Sequence, residues 1–121
     1  MRTLLLLLLL IPSFALASDL KKDAIFSVQV SNSVLEGTTT LKYIDILLNI
    51  SEQSGNYIDV DGWLASKKNS KNDYDIYFLF KENEQDKKLH WVISNQKIYS
   101  VDPVSKQITP PQKAQFFYPE K

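Results

Sequence analysis

The chain has 121 residues, with 14 basic and 14 acidic side chains, one histidine and no cysteine. Arg2 is the only arginine, so the rest of the sequence has no guanidinium for bidentate phosphate or carboxylate recognition and no positive excess of the kind that drives nucleic-acid binding. Without cysteine no disulfide forms, and with His90 alone no zinc site of His and Cys ligands can be assembled within one chain.

Met1-Arg2-Thr3 gives a positive start, Leu4 to Ile11 an apolar run, and Ala15-Leu16-Ala17 a small-x-small site before Ser18. That is the layout of a cleavable secretory signal. The apolar run is interrupted by Pro12 and Ser13 and falls short of the roughly 20 residues that span a bilayer. Residues 1–17 are therefore expected to be removed, leaving 18–121 as a single small soluble domain, periplasmic or secreted, with no stable membrane anchor. The missing disulfides and the many Lys, Asn and Ile residues favour a bacterial protein.

In residues 24–31, Phe26, Val28 and Val30 alternate with Ser27, Gln29 and Ser31, which predicts a strand. Residues 38–54 fit two patterns. As a helix they set Leu41, Ile44, Leu47 and Leu48 on one face, with a threonine cap at Thr38 or Thr39 and Gly55 just past the end. As a strand they alternate Ile44, Ile46, Leu48 and Ile50, and the β-branched content suits that conformation. The adjacent pair Leu47-Leu48 and the polar tail Ser51-Glu52-Gln53-Ser54 before Gly55 favour the helix. The stretch from Leu41 to Leu48, followed by Ile50 to Val60 with Gly55 between, resembles the helix–glycine–strand unit of secretin-type N-terminal domains in bacterial export and pilus machines. The resemblance implies a helix at 41–48 and a strand after Gly55.

Further on, Ile58, Val60 and Leu64 alternate with Tyr57, Asp59, Asp61 and Trp63, predicting a strand over 56–65, and a polar loop covers 66–72. Tyr74, Ile76, Phe78 and Phe80 form an aromatic face. Because Tyr77 and Leu79 between them are apolar too, this strand is expected to be central and covered on both faces. Lys81 to Lys88 reads as a charged turn, Leu89 to Ser94 as a strand, Asn95-Gln96 as a tight turn and Lys97 to Val101 as the last strand. Beyond Asp102, the prolines at 103, 110 and 111 predict an extended, polyproline-like tail over 102–121 that is neither strand nor helix. The expected fold is α+β: a small antiparallel sheet of about four or five strands with one amphipathic helix packed on it. Were 40–50 a strand, it would be an all-β sandwich or barrel.

No catalytic, cofactor-binding or metal-ligating set emerges. His90 and Ser94 would share one strand face about 13 Å apart, well beyond hydrogen-bond reach. The Ser-x-x-Lys spacings at Ser18–Lys21 and Ser94–Lys97 are not at buried helix starts, where acylating chemistry needs them. Asp59-Val60-Asp61-Gly62 resembles part of a calcium loop, but the ligand positions of an EF-hand would fall on Tyr57 and Lys68. A looser site would need Asp59 and Asp61 to meet Asp73 or Asp75, and the same carboxylates could serve a glycosidase pair. Phe26, Phe78, Phe80, Trp91 and Ile93 read as core.

Tyr57 and Trp63, on one face with Asp59 and Asp61, mix aromatic rings with charge as partner-binding surfaces do. Phe116, Phe117 and Tyr118 either strap the sheet or dock on another protein. These seven residues form the expected binding surface, for an unidentified protein partner. The sequence thus points to a non-enzymatic exported interaction domain, an accessory of an envelope or secretion assembly. The alternatives are an inhibitor or immunity-type protein with a protruding loop at 66–72 or 82–88 and, third, a small carboxylate-based hydrolase.

Overall fold

The structure, a computed structural model, describes residues 20–69 and 71–119; the expected signal segment 1–17 lies outside the described residues. Helix α1 covers residues 20–30, α2 Thr40–Gln53, and α3 Pro103–Ile108. The strands are β1 Ile58–Lys67, β2 Tyr74–Glu82, β3 Gln85–Ser94, β4 Lys97–Ser100 and β5 Gln112–Lys113. They form one antiparallel sheet in the order β1-β2-β3-β4-β5. The α+β class is as expected, with three described helices instead of one. No described helix is long and apolar enough to cross a membrane.

Directly opposed residues of an antiparallel pair share a face. The register sets Phe78 opposite Leu89, Ile76 opposite Trp91, Tyr74 opposite Ile93 and Ile93 opposite Ile98, and all of these are buried. This is the core face. Trp63 stacks on Trp91 with ring centroids 5.5 Å apart and lies 5.1 Å from Phe78. Such pairs are worth about 0.5–1.5 kcal/mol beyond their area. The Trp91 indole N–H is buried there without an acceptor among the described residues.

Helix α2 forms for the reasons its sequence suggested. The Thr39 side chain accepts from Lys42 N at 3.2 Å, and Gly55, at φ +99°, follows the C-cap Ser54. Ile44 is fully buried, with Tyr43, Leu47 and Leu48 packed around it, while Ile46 and Ile50 are exposed. A strand would have put Ile44, Ile46, Leu48 and Ile50 on one side; helical spacing divides them.

Four expectations fail. Residues 24–31 are helix up to residue 30, not strand. The buried positions are Ala24, Ser27, Val28 and Ser31, spaced three, one and three apart, and this helical stripe is made of small and hydroxyl side chains. Phe26, expected in the core, is exposed on α1. The span Lys81–Lys88 is strand on both sides of a two-residue turn at Asn83-Glu84, whose φ values of 52° and 66° suit a hairpin of the primed type. Asn95-Gln96, as expected, makes the same kind of turn, at 51° and 60°.

The fourth correction concerns residues 102–121. Asp102-Pro103 begins α3, with Asp102 as N-cap and the proline at the first position, where its missing N–H costs nothing. Ile108, Thr109, Ala114 and Phe117 are buried, so the segment is built into the fold. Gln112–Lys113 pairs with β4, and the Gln112 side chain bridges to the Asn32 backbone in both directions.

Candidate interaction surface

The β1–β2 register shifts between Val60 and Gly62, a bulge at which Gly62 adopts φ +118°. Before the bulge, Asp59 lies opposite Lys81 on the face away from the core. After it, Trp63 lies opposite Phe78 on the core face. Tyr57, Asp59, Asp61 and Trp63 therefore do not share one face, since the extra residue inverts the alternation. Tyr57 is 65% exposed beside the Asn83 turn, to which its backbone is bonded in both directions. Asp59 and Asp61 are exposed, and Trp63 is half-buried against the core.

The three C-terminal aromatics part in the same way. Phe117 is 1% exposed and meets Tyr74 edge-on at 5.6 Å. Phe116 and Tyr118 stay in solvent, and Phe116 pairs with the exposed Phe26 at 5.6 Å. Phe116 has φ +64°, a left-handed backbone that costs a bulky residue free energy and turns its neighbour inward.

A surface the sequence did not single out lies on the sheet face opposite the core. Its rows, read across the strands, are Asp59-Lys81-Asp86, then Leu79-Lys88, then Leu64-Tyr77-His90, then Ser66-Asp75-Val92-Tyr99, and finally Ser94-Lys97. An antiparallel sheet that faces water on one side usually carries polar residues there. Here Leu64 is 49% exposed, Tyr99 44%, and Tyr77, Leu79 and Val92 are half-buried. The signal was present in the apolar Tyr77 and Leu79, which predicted a cover on both faces of β2.

At the centre, the His90 ring stacks on Tyr77 at 4.4 Å, and its Nε2 lies 2.8 Å from Asp75 Oδ1. Lys88 Nζ sits 5.4 Å from the Tyr77 ring centroid. Burial, and secondarily the Asp75 carboxylate, push the Tyr77 phenol above its ordinary pKa. Among the described residues, no group of three or more His, Asp or Glu side chains gathers as metal ligands do. The register holds Asp59 opposite Lys81 and Asp75 opposite Ser66, at opposite ends of the same strand pair, so the loose calcium arrangement does not assemble. Ser94 and Lys97 are cross-strand neighbours flanking a turn.

One further concavity, a groove of about 260 Å³, lies between α2, α3 and the core side of the β2–β3 hairpin. Ile44, Leu48, Phe80 and Val104 line it, with Glu82 and Lys87 paired at 3.8 Å on its rim. Comparison with protein-family models, curated proteins and solved structures finds no match for this chain.

Proposed function

We propose that this chain is an exported, non-enzymatic interaction domain that binds protein through the uncovered face of its sheet, as an accessory of an envelope or secretion assembly. The observation that carries it is the placement of Leu64, Tyr77, Leu79, Val92 and Tyr99 on a face that the core-side packing leaves open. Five large apolar side chains on one sheet face are what a binding surface offers, and scattered single ones are not. The chemistry supports the same reading. His90 pairs with Asp75 in a shallow, strand-bound setting, and Ser94 lies four residues further along the same strand, about 13 Å away.

Export follows from the residues of the N-terminal segment alone and is tested by fractionation and N-terminal sequencing: a mature chain should begin at Ser18 outside the cytoplasm. For binding, a photo-cross-linker replaces Tyr99 on the open face or Leu41 on the exposed side of α2. Protein adducts should form from position 99 and not from 41. Equal yields, or none at 99, remove the open face from the proposal.

A further inference from the structure

We propose that two copies of this chain join edge to edge, their β1 strands pairing antiparallel about a two-fold axis perpendicular to the sheet. β1 is a ten-residue edge strand, whereas β5 at the opposite edge has two residues. In an antiparallel ladder the N–H and C=O of one residue point to the same side, and successive residues alternate. Lys68 N donates to Asp73 O, so Lys68 points into the sheet. Counting back from it to the bulge, Trp63, Ala65 and Lys67 point outward, and their main-chain groups have no hydrogen-bond partner among the described residues. Such a row is a template for one more strand, and its alternating donors and acceptors fit an extended backbone.

Charge selects which strand. Asp59 and Asp61 lie near the start of β1, Lys67 at its end and Lys68 just beyond, all of them exposed. An antiparallel copy of β1 reverses this order and sets acid against base at both ends, as a two-fold contact requires. The bulge between Val60 and Gly62 bends the edge, which leaves Gly62 to Lys67 as its regular stretch.

The register follows. An axis through Leu64 pairs Trp63 with Ala65 of the second copy and Gly62 with Ser66, all within the regular stretch. Beyond the bulge it brings Asp59 to Lys68 of the second copy, and symmetry repeats every contact. Opposed residues must share a face. These do, since Trp63 and Ala65 belong to the core face, and Gly62, Leu64 and Ser66 to the open one. A contact one strand deep falls short of the roughly 800 Å² per partner of a standard stable interface, so the dimer is reversible.

The chain has no cysteine, so single introduced thiols report the register. Leu64→Cys lies on the axis, in a non-hydrogen-bonded pair whose Cα atoms are about 4.5 Å apart, within disulfide range. Ser66→Cys is displaced from its own copy by about 13 Å along the strands. Under mild oxidation Leu64→Cys should therefore form the disulfide dimer at least about tenfold faster than Ser66→Cys.

Sedimentation equilibrium of the cysteine-free protein from about 10 µM to about 1 mM should show the mass rising from one chain towards two, a range suited to a weak complex. Asp59→Lys with Asp61→Lys, and separately Lys67→Asp with Lys68→Asp, set like charges together at both ends and should each abolish the rise. An equal mixture of the two should restore a dimer containing one of each. All four positions are exposed, and far-UV circular dichroism verifies that the variants fold. A monomer throughout the range, dimers indifferent to both charge reversals, or equal cross-linking from positions 64 and 66 overturns the proposal. The edge contact does not rest on the open-face reading, which adducts from position 99 test separately.

Discussion

The backbone N–H of His90 donates to the carboxylate of Asp102 at 2.9 Å, and that same carboxylate caps helix α3. β4 ends at Ser100, Val101 N still reaches His90 O, and there the backbone turns away into α3. The Asp102 side chain continues the ladder where the main chain cannot. Its Oδ1 accepts from Ser105 N at 2.8 Å and its Oδ2 from the Ser105 hydroxyl at 2.6 Å. An edge amide and a helix start are thus satisfied by one residue.

Asp102 should therefore govern part of the acid sensitivity. Burial pushes its carboxyl up, but hydrogen bonds from the Ser105 hydroxyl and from the amides of Ser105, His90 and Val104 outweigh this and hold it below its ordinary value. A carboxyl lowered in the folded state contributes stability that is fully present above its unfolded pKa of about 3.9 and is lost as pH falls through the folded value. Asp102→Asn keeps a capping oxygen but offers an NH₂ to one of the donors, so it should cost about 1–2 kcal/mol at neutral pH. Urea midpoints followed from about pH 6 down to about pH 2 should fall less steeply for Asp102→Asn than for the parent. Equal slopes would show that other carboxyls dominate.

The two hairpins carry residues ill suited to their turns. Glu84 and Gln96 have φ values of 66° and 60°, in the left-handed region where glycine is favoured. Asn83 and Asn95 already suit the position before them, and Asn-Gly is the preferred pair for such turns. Glu84→Gly and Gln96→Gly should each stabilise the fold by about 0.5–1 kcal/mol, since relief of about 1–2 kcal/mol of left-handed strain exceeds the added entropy of the unfolded chain. Chemical denaturation of the single and double variants checks this. The effects should add, because the turns lie at opposite ends of β3. A loss of stability at both sites would mean that the turn geometry is not the one described.

How much of this was legible in the sequence depended on what each element buries. β2 and β3 could be read because Tyr74, Ile76, Phe78, Leu89, Trp91 and Ile93 are large and alternate. α2 could be read from Ile44, Leu47, Leu48 and its cap. α1 could not, since its inward stripe of Ala24, Ser27, Val28 and Ser31 carries hydroxyls that no apolar pattern detects, while its exposed Phe26 imitated a strand. The start of α3 is present as Asp102-Pro103, a cap followed by a first-turn proline, but Pro103, Pro110 and Pro111 read equally well as breakers. At the candidate surface, one glycine decided the outcome. Gly62 permits the bulge that sends Trp63 to the core face, so Trp63 left the expected patch, while the apolar positions of β2 marked the face that stays open.

The hydroxyls hidden in α1 have a measurable consequence. Ser31 Oγ lies 2.8 Å from Thr40 Oγ1, and Thr40 Oγ1 lies 2.6 Å from Thr109 Oγ1, linking the end of α1, the start of α2 and the residue after α3. Thr40 and Thr109 are both fully buried. Thr40→Val keeps the shape but strips partners from two buried hydroxyls, which should cost about 1–3 kcal/mol. At roughly 4–8 °C per kcal/mol for a domain of this size, the melting temperature should fall on the order of 10 °C. The double variant Thr40→Val with Thr109→Val should cost less than the sum of the singles, because the second change removes an already orphaned group. Strict additivity would mean that the chain of hydroxyls is not coupled.

Adjacent aromatics near the C-terminus should behave oppositely. Phe117 is buried against Tyr74, and Phe117→Ala should cost about 3–5 kcal/mol through lost burial and a cavity. That is about a fifth or more of the total stability of domains of this size, whose whole margin is about 5–15 kcal/mol. Phe116 lies in solvent, where its contact with Phe26 is worth about 0.5–1.5 kcal/mol and its left-handed backbone costs a comparable amount. Asparagine tolerates that backbone, so the two terms offset and Phe116→Asn should leave the thermal midpoint within a few degrees of the parent. A freely extended tail would make both changes harmless, and a tail inserted with Phe116 inward would reverse their order. The large asymmetry between neighbours is expected only if the left-handed turn at 116 directs one ring to the core and the other to solvent.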